Sequence, residues 1–294
     1  MTTAPEKIIH RHNSELQKTH ISIGISCYND FSSVDRLLKN IKEVTAPNLD
    51  YKIVVCDDGS KEIYKLGLRE VVKKHGGEVD LVEHASNYGI SAAWNTLAGY
   101  HRSKYTVLLN DDILLVKNWL TALAYFLQKN RQIGTVGLLN YHGLNPQTAR
   151  KLAYDGVENP DAPIFTLNPP GCCFVFADAV HVEVGGFDES MKSFYEECDF
   201  GTRCLARNFR NYTLPYPWIY HEWSGTFSRN AELKASERMN NSREIYKRKW
   251  GGDLREMFDK FVMRKELKEV KWLSEGGERH GLPKRPDLDN CTDI

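Results

Sequence analysis

Between Ile21 and Asp112 the chain alternates short apolar runs with stretches in which apolar residues return every three or four positions. Each run stops abruptly at polar residues. Ile21 to Cys27 ends at Tyr28-Asn29-Asp30, Tyr51 to Cys56 at Asp57-Asp58-Gly59-Ser60, and Tyr105 to Leu109 at Asn110-Asp111-Asp112, while the shorter Val79 to Val82 leads to Asn87-Tyr88-Gly89. Such β-rich runs, too short for helices and bounded by turn formers, predict buried strands. Between them, Val34, Leu37, Leu38 and Ile41 share a helical face behind a Ser32-Ser33 cap. Ile63, Leu66, Val71 and Val72 predict a second helix ending at His75-Gly76-Gly77, and a third, from about Ile90 to His101, carries Trp94 and Asn95. Strand-helix alternation predicts an α/β fold with a parallel, doubly wound sheet and right-handed crossovers. Its polar strand ends gather at one edge, where open α/β sheets bind ligands.

Farther along, Trp119 to Phe126 predicts a helix and Ile133 to Leu139 a strand, followed by a polar, proline-punctuated excursion from Tyr141 to Asp161. Asn168 to Phe176 reads as a turn entering a strand, and Glu196-Glu197 as the start of a helix running through Leu205. Pro215 to Trp223 reads as an aromatic-rich strand or loop. The expected division is a mobile or loosely docked arm over 1–20, a domain over 21–227 with its internal boundary between 112 and 113, a helical extension over 228–274 and a tail over 275–294.

A chain of 294 residues with 41% hydrophobic and 27% charged residues suits one large domain with extensions. Basic and acidic residues balance at 39 each, so no global field announces nucleic acid or an acidic membrane. No apolar stretch reaches the roughly 20 residues of a membrane span, and Met1 to His20 has no signal-peptide core, so a cytoplasmic location is expected. The seven cysteines show no paired metal spacing and read as reduced core thiols. His10, His12 and His20 have no ligand spacing. Arg243, Lys247, Arg248 and Lys249 read as a solvated helix face.

Carboxylates at strand ends suit a hard cation and the phosphates it carries, although Asp and Asn are also ordinary cap and turn residues. There is no Gly-x-Gly-x-x-Gly after the first strand and no Walker lysine, which argues against dinucleotide and P-loop folds. Taken together, Ser26-Cys27-Tyr28-Asn29, Val54-Val55-Cys56-Asp57-Asp58-Gly59-Ser60, Asn87-Tyr88-Gly89-Ile90-Ser91-Ala92-Ala93-Trp94-Asn95 and Leu108-Leu109-Asn110-Asp111-Asp112 resemble the family 2 glycosyltransferases of the GT-A fold, over roughly residues 20 to 250.

That resemblance implies transfer of a sugar from a nucleotide-diphosphate donor with Mn²⁺ or Mg²⁺, and it makes 21–227 a catalytic domain with a nucleotide-binding half over 21–112 and an acceptor and catalytic half over 113–227. It implies donor contacts from Tyr28, Asn29, Asp57 or Asp58, Asn87, Asn95, Asn110, Asp111 and Gly171, the last in a segment similar to the one beneath the donor sugar. Asp112 and His221 become the metal or diphosphate ligands. Asn110 stands where many members have an Asp. The block Phe194 to Phe200 is similar to the family's Glu-Asp motif, with Glu197 at the position of the catalytic base of inverting members and Glu196 or Asp199 as fallbacks.

Two other classes remain open from the sequence: a catalytically silent nucleotide-sugar-binding scaffold of the same fold, and a sugar nucleotidyltransferase, which would be expected to carry a basic Gly-rich loop where Tyr28-Asn29-Asp30 stands. The acceptor is open among a glycan, a lipid-linked glycan, a small molecule, a protein and a hydroxylated nucleic-acid base.

Overall fold

The computed structural model describes residues 7–10, 20–101, 103–130, 132–141, 163–222 and 225–263. Strands are β1 (Lys7–His10), β2 (Ile21–Cys27), β3 (Tyr51–Asp57), β4 (Val79–His84), β5 (Tyr105–Asn110), β6 (Ile113–Leu115), β7 (Ile133–Tyr141), β8 (Ile164–Thr166), β9 (Cys173–Ala177) and β10 (Arg210–His221). Helices are α1 (Phe31–Val44), α2 (Glu62–Lys74), α3 (Ile90–Ala98), α4 (Trp119–Lys129), α5 (Asp178–Val184), α6 (Glu196–Ala206), α7 (Gly225–Arg229), α8 (Ala235–Trp250) and α9 (Leu254–Phe258).

One sheet of order β1-β4-β3-β2-β5-β9-β7-β10-β6 runs through the molecule, with β8 also on β10. The expected parallel arrangement holds for β4, β3, β2 and β5, and for β7 with β10; β1, β6, β8 and β9 are antiparallel to their neighbours, so the sheet is mixed. Because β9 inverts between β5 and β7, the carboxyl ends of β2, β3, β4, β5, β7 and β10 all reach the same edge. Strand β9 begins there. This is how His221, a hundred residues beyond the acidic turn, comes to lie beside Asp112.

The segment expected as a loosely docked arm contributes β1, which pairs in register with β4 through Lys7–His84 to His10–Leu81. Its alternation over four residues was too short to register as a strand. The helix α1 is capped by Asp30, whose carboxylate accepts from the backbone of Ser32 and Ser33 as well as from both hydroxyls, so Ser32-Ser33 are the capped residues instead of the cap. Along α2 the buried face is Leu68, Val71 and Val72; Ile63 and Leu66 are exposed, because an apolar pattern cannot say which of two overlapping stripes meets the sheet. The six described cysteines are buried and form no disulfide with one another, as expected; Cys291, the excursion at 142–162 and the tail lie outside the described residues.

Apolar residues of the central strands, Ile21, Ile23, Ile25, Val107 and Leu109 among them, form a core with α1 and α4 on one face. A second cluster, with Trp94, Phe174, Phe187 and Phe200, fills the other. A third joins Met191, Cys198 and Leu205 to Tyr246 and Met257, fastening α8 and α9 to α6. Among the described residues no helix is long and apolar enough to cross a membrane.

Candidate functional site

A cleft of about 600 Å³ opens along the carboxyl edge of the sheet. Of the residues expected at a site, Tyr28, Asp58, Asn87, Asn110, Asp111, Asp112, Gly171, Glu196, Glu197 and His221 line it. Asn29, Asp57, Asn95 and Asp199 do not, and the structure gives each other partners.

Asn29 bonds Asn230 at 2.8 Å and accepts from the backbone of Lys61 at 2.9 Å, tying the first strand end to the segment after α7. Asp57 is turned onto the hydroxyl and backbone of Ser60. Asn95 clamps the 187–189 turn through Phe187 and Glu189. Asp199 is fully buried away from the cleft and bound by Arg203, Lys249 and Trp250 at 2.9 to 3.0 Å. Asp58 lines the cleft, but its oxygens accept from His84, Asn87 and the backbone of Tyr88 and Gly89 at 2.8 to 3.0 Å. Burial pushes its pKa up against those bonds. What Asp58 fixes is the loop bearing Asn87.

At the centre, Asp112 Oδ1 lies 3.1 Å from His221 Nε2, and the Asp112 carbonyl accepts from the backbone of Glu222 at 2.8 Å. Arg36 grips Glu222 through two bonds of 2.7 and 2.9 Å, so α1 steadies the turn that carries His221. Asp111 is 2% exposed and its Oδ2 has no hydrogen-bond partner among the described residues. Burial, then the charges of Asp112 and Asp30, push its carboxyl well above the ordinary range. Arg229 holds Asp30 at 2.7 Å.

Beside this lies a second acidic pair. Glu196 and Glu197 open α6, where the helix dipole favours carboxylates, yet Oε2 of each is buried without a hydrogen-bond partner among the described residues. Burial, and for Glu196 also the adjacent Glu197 charge, raises both pKa values. A Cβ on Gly171 would stand 3.4 Å from Glu197 and 3.5 Å from Trp94, so the glycine keeps the floor below them open. Phe194 and Tyr195, which deliver the pair, both sit at left-handed φ, 66° and 69°, a strained geometry for aromatic residues that persists where packing over-determines it. Phe194 stacks on Phe227 with centroids 5.0 Å apart, and both line the cleft.

Unsatisfied buried oxygens are costly, and their concentration at one cleft marks where a ligand supplies partners. Among the described residues no three side chains form a ready-made metal cluster. Asp112 and His221 supply two donors of a type that Mg²⁺ or Mn²⁺ accepts, with Asp111 unsatisfied next to them, and such ions characteristically complete their shell with substrate phosphates and water. The residues therefore fit a divalent ion carried in with a diphosphate. Cys172 and Cys173 are inert: burial drives both thiols up, Cys173 to about 12, so neither offers a thiolate.

Sequence reasoning missed Arg238, Phe194, Phe227, Leu233 and Met239 as cleft residues. Arg238 carried no signal apart from being one basic residue on a charged helix; only the packing of α8 turns it inward.

An open, mixed α/β sheet with an acidic cleft at its strand ends places the protein in the class of α/β folds that bind ligands at the carboxyl edge of the sheet. The sequence matches the glycosyl transferase family 2 model over residues 22–177, and the chain belongs to that family. No curated protein matches it in sequence. Among solved structures it is similar to GalNAc-T7 with UDP, GalNAc and Mn²⁺, at 18% identity and TM-score 0.59, covering 70% of this chain and 43% of that one. It is similar to the mannosyltransferase PcManGT from Pyrobaculum calidifontis, in complex with GDP-Man and Mn²⁺, at 16% identity and TM-score 0.63, covering 85% and 69%. It is also similar to S. aureus TarS 1-349, at 18% identity and TM-score 0.54, covering 74% and 65%. The chain spans less than half of the GalNAc-T7 chain and about two thirds of the other two. At these identities the likeness establishes the shared GT-A-type fold, as the motif order had implied.

Proposed function

We propose that the protein is an inverting, metal-dependent glycosyltransferase that moves a sugar from a nucleotide-diphosphate donor to an acceptor hydroxyl, with Glu197 as general base. The observation that carries this reading is the pairing of two acidic groups along one cleft: Asp111 and Asp112 with His221 at the sheet edge, and the unsatisfied Glu196-Glu197 pair at the head of α6. The donors named with GalNAc-T7 and PcManGT, and their Mn²⁺, support the same reading.

When bound, a divalent ion on Asp112 and His221 would offset the charge that develops on the departing diphosphate. Inversion requires a base that takes the acceptor proton as its oxygen attacks from the face opposite the leaving group. Glu197 suits that role because its Oε2 is unpaired and its raised pKa favours proton uptake. Glu196, whose Oε2 is likewise without a partner among the described residues, is the fallback base. Tyr28 and Asn87 are assigned to donor contacts because both line the cleft.

Calorimetric titration with UDP-, GDP-, dTDP- and CMP-sugars, with Mn²⁺ and then EDTA, tests the donor. Metal-dependent binding of one donor, lost in Asp112→Ala, is expected. Glu197→Gln should bind that donor normally and lose transfer by roughly 10²- to 10⁴-fold, the usual worth of a general base. Wild-type turnover by Glu197→Gln would assign the base elsewhere.

A further inference from the structure

The cleft is lined by five carboxylates, those of Asp58, Asp111, Asp112, Glu196 and Glu197, and among the described residues by a single lysine or arginine, Arg238. Cations on the surrounding elements are occupied by acids: Arg36 by Glu222, Arg229 by Asp30, Arg203 by Asp199, and Lys249 by Asp188 and Asp199. Arg238 differs. Its hydrogen bonds go to neutral groups, Asn87 Oδ1 at 2.8 Å and Ser193 Oγ at 3.4 Å, with no carboxylate on it among the described residues. Two of its five N–H donors are thereby engaged, and the remaining donors of this partly buried guanidinium meet no carboxylate among the described residues.

Its helix is held firmly. Ser242 donates to the Ser193 carbonyl at 2.8 Å, Tyr246 meets Thr202 at 2.7 Å, and Trp250 donates to Asp199 at 2.9 Å. The guanidinium is thus preorganised across the cleft, between the Asn87 loop and the loop that leads to Glu196.

We infer that Arg238 is an anion-binding residue of this cleft, and that its ligand is a phosphate group of the donor diphosphate. A planar guanidinium with spare donors matches phosphate oxygens in a forked geometry that an ammonium cannot reproduce. In a cleft so rich in carboxylates, a dianionic diphosphate needs a cation beyond the metal. This inference rests on the donor reading above and names a residue outside the segment matched to the family.

The test is titration of inorganic pyrophosphate, UDP and GDP into wild type, Arg238→Ala and Arg238→Lys, with Mg²⁺ and again in EDTA, alongside thermal unfolding of each. Arg238→Ala should weaken pyrophosphate and the bound diphosphate by tenfold or more, in EDTA as well as with metal, at unchanged unfolding temperature; lysine should restore part of it. Affinity within twofold of wild type in Arg238→Ala would overturn the inference. So would absence of pyrophosphate binding to wild type, or a loss that tracks a fall in unfolding temperature and is not restored by lysine, which would make Arg238 a docking residue only. Pyrophosphate binding with no nucleotide binding would sink the donor reading and leave the anion site standing; nucleotide binding indifferent to Arg238→Ala would do the reverse.

Discussion

Glu196 is a carboxylic acid placed where its charge is unwelcome: 7% exposed, next to another glutamate, with one oxygen unpaired. Burial first, and the Glu197 charge second, hold its pKa well above the ordinary value. In the unfolded chain the group loses its proton near pH 4.3, so above that pH the folded state binds more protons than the unfolded one, and stability falls as pH rises toward the folded pKa. Glu196→Gln removes this penalty. Its unfolding temperature should exceed that of wild type at pH 7 to 8, with the gap closing toward pH 4.5; thermal unfolding across that range checks it, and a gap independent of pH would contradict it. At this scale the strand-end acids were legible because an apolar run that breaks off into Asn110-Asp111-Asp112 is a local pattern. Arg238 and Phe194 were not, since an arginine on a charged helix and a phenylalanine in a turn look the same whether or not a third element folds over them. Asp58 was legible as important but not in its task, because only the structure reveals that its oxygens are spent on His84 and the 87–89 loop.

At the scale of elements, the entry into α3 depends on Gly89. Its φ is +102°, its N–H donates to Asp58 at 2.8 Å, and a Cβ there would stand 2.4 Å from the Lys192 carbonyl oxygen. Gly89→Ala combines left-handed strain with a backbone collision and should cost about 2 kcal/mol or more. For a domain of this size that is a fall of roughly 4 to 8 °C in unfolding temperature. It should also displace the 192–195 loop, so donor affinity and turnover should drop together. The elements from β2 to β5 were readable because each strand is a run buried on both faces, followed by a helix with one apolar stripe. Strand β10 was read only from Pro215, although it begins at Arg210; its first four residues, Arg-Asn-Tyr-Thr, are mostly polar in sequence. Asn211 shows why it is nevertheless buried: its amide donates to Leu167 and Gly201 carbonyls at 2.6 and 2.9 Å and accepts from the backbone N–H of Thr135, so a polar side chain serves as an internal clamp.

For the whole molecule, the helices beyond residue 227 pack against the elements that carry the site. Tyr246 and Met257 share a buried cluster with Met191, Cys198 and Leu205, and Lys249 and Trp250 satisfy Asp199. A chain ending at residue 227 should leave that cluster open and Asp199 half-satisfied, lowering the unfolding temperature by on the order of 10 °C or more. A fragment that unfolds like the full chain would mean α8 and α9 are accessory. The segment matched to the family ends at Ala177, within the last residue of β9, whereas Glu196, Glu197, His221 and Arg238 all lie past it. The cleft is thus built from two consecutive stretches of one polypeptide, one inside the matched segment and one beyond it. A chimaera joined at α5 therefore exchanges Glu196, Glu197, His221 and Arg238 as one block against the strand ends of β2 to β5, and it closes only if the graft carries the Lys192 backbone that seats on Gly89.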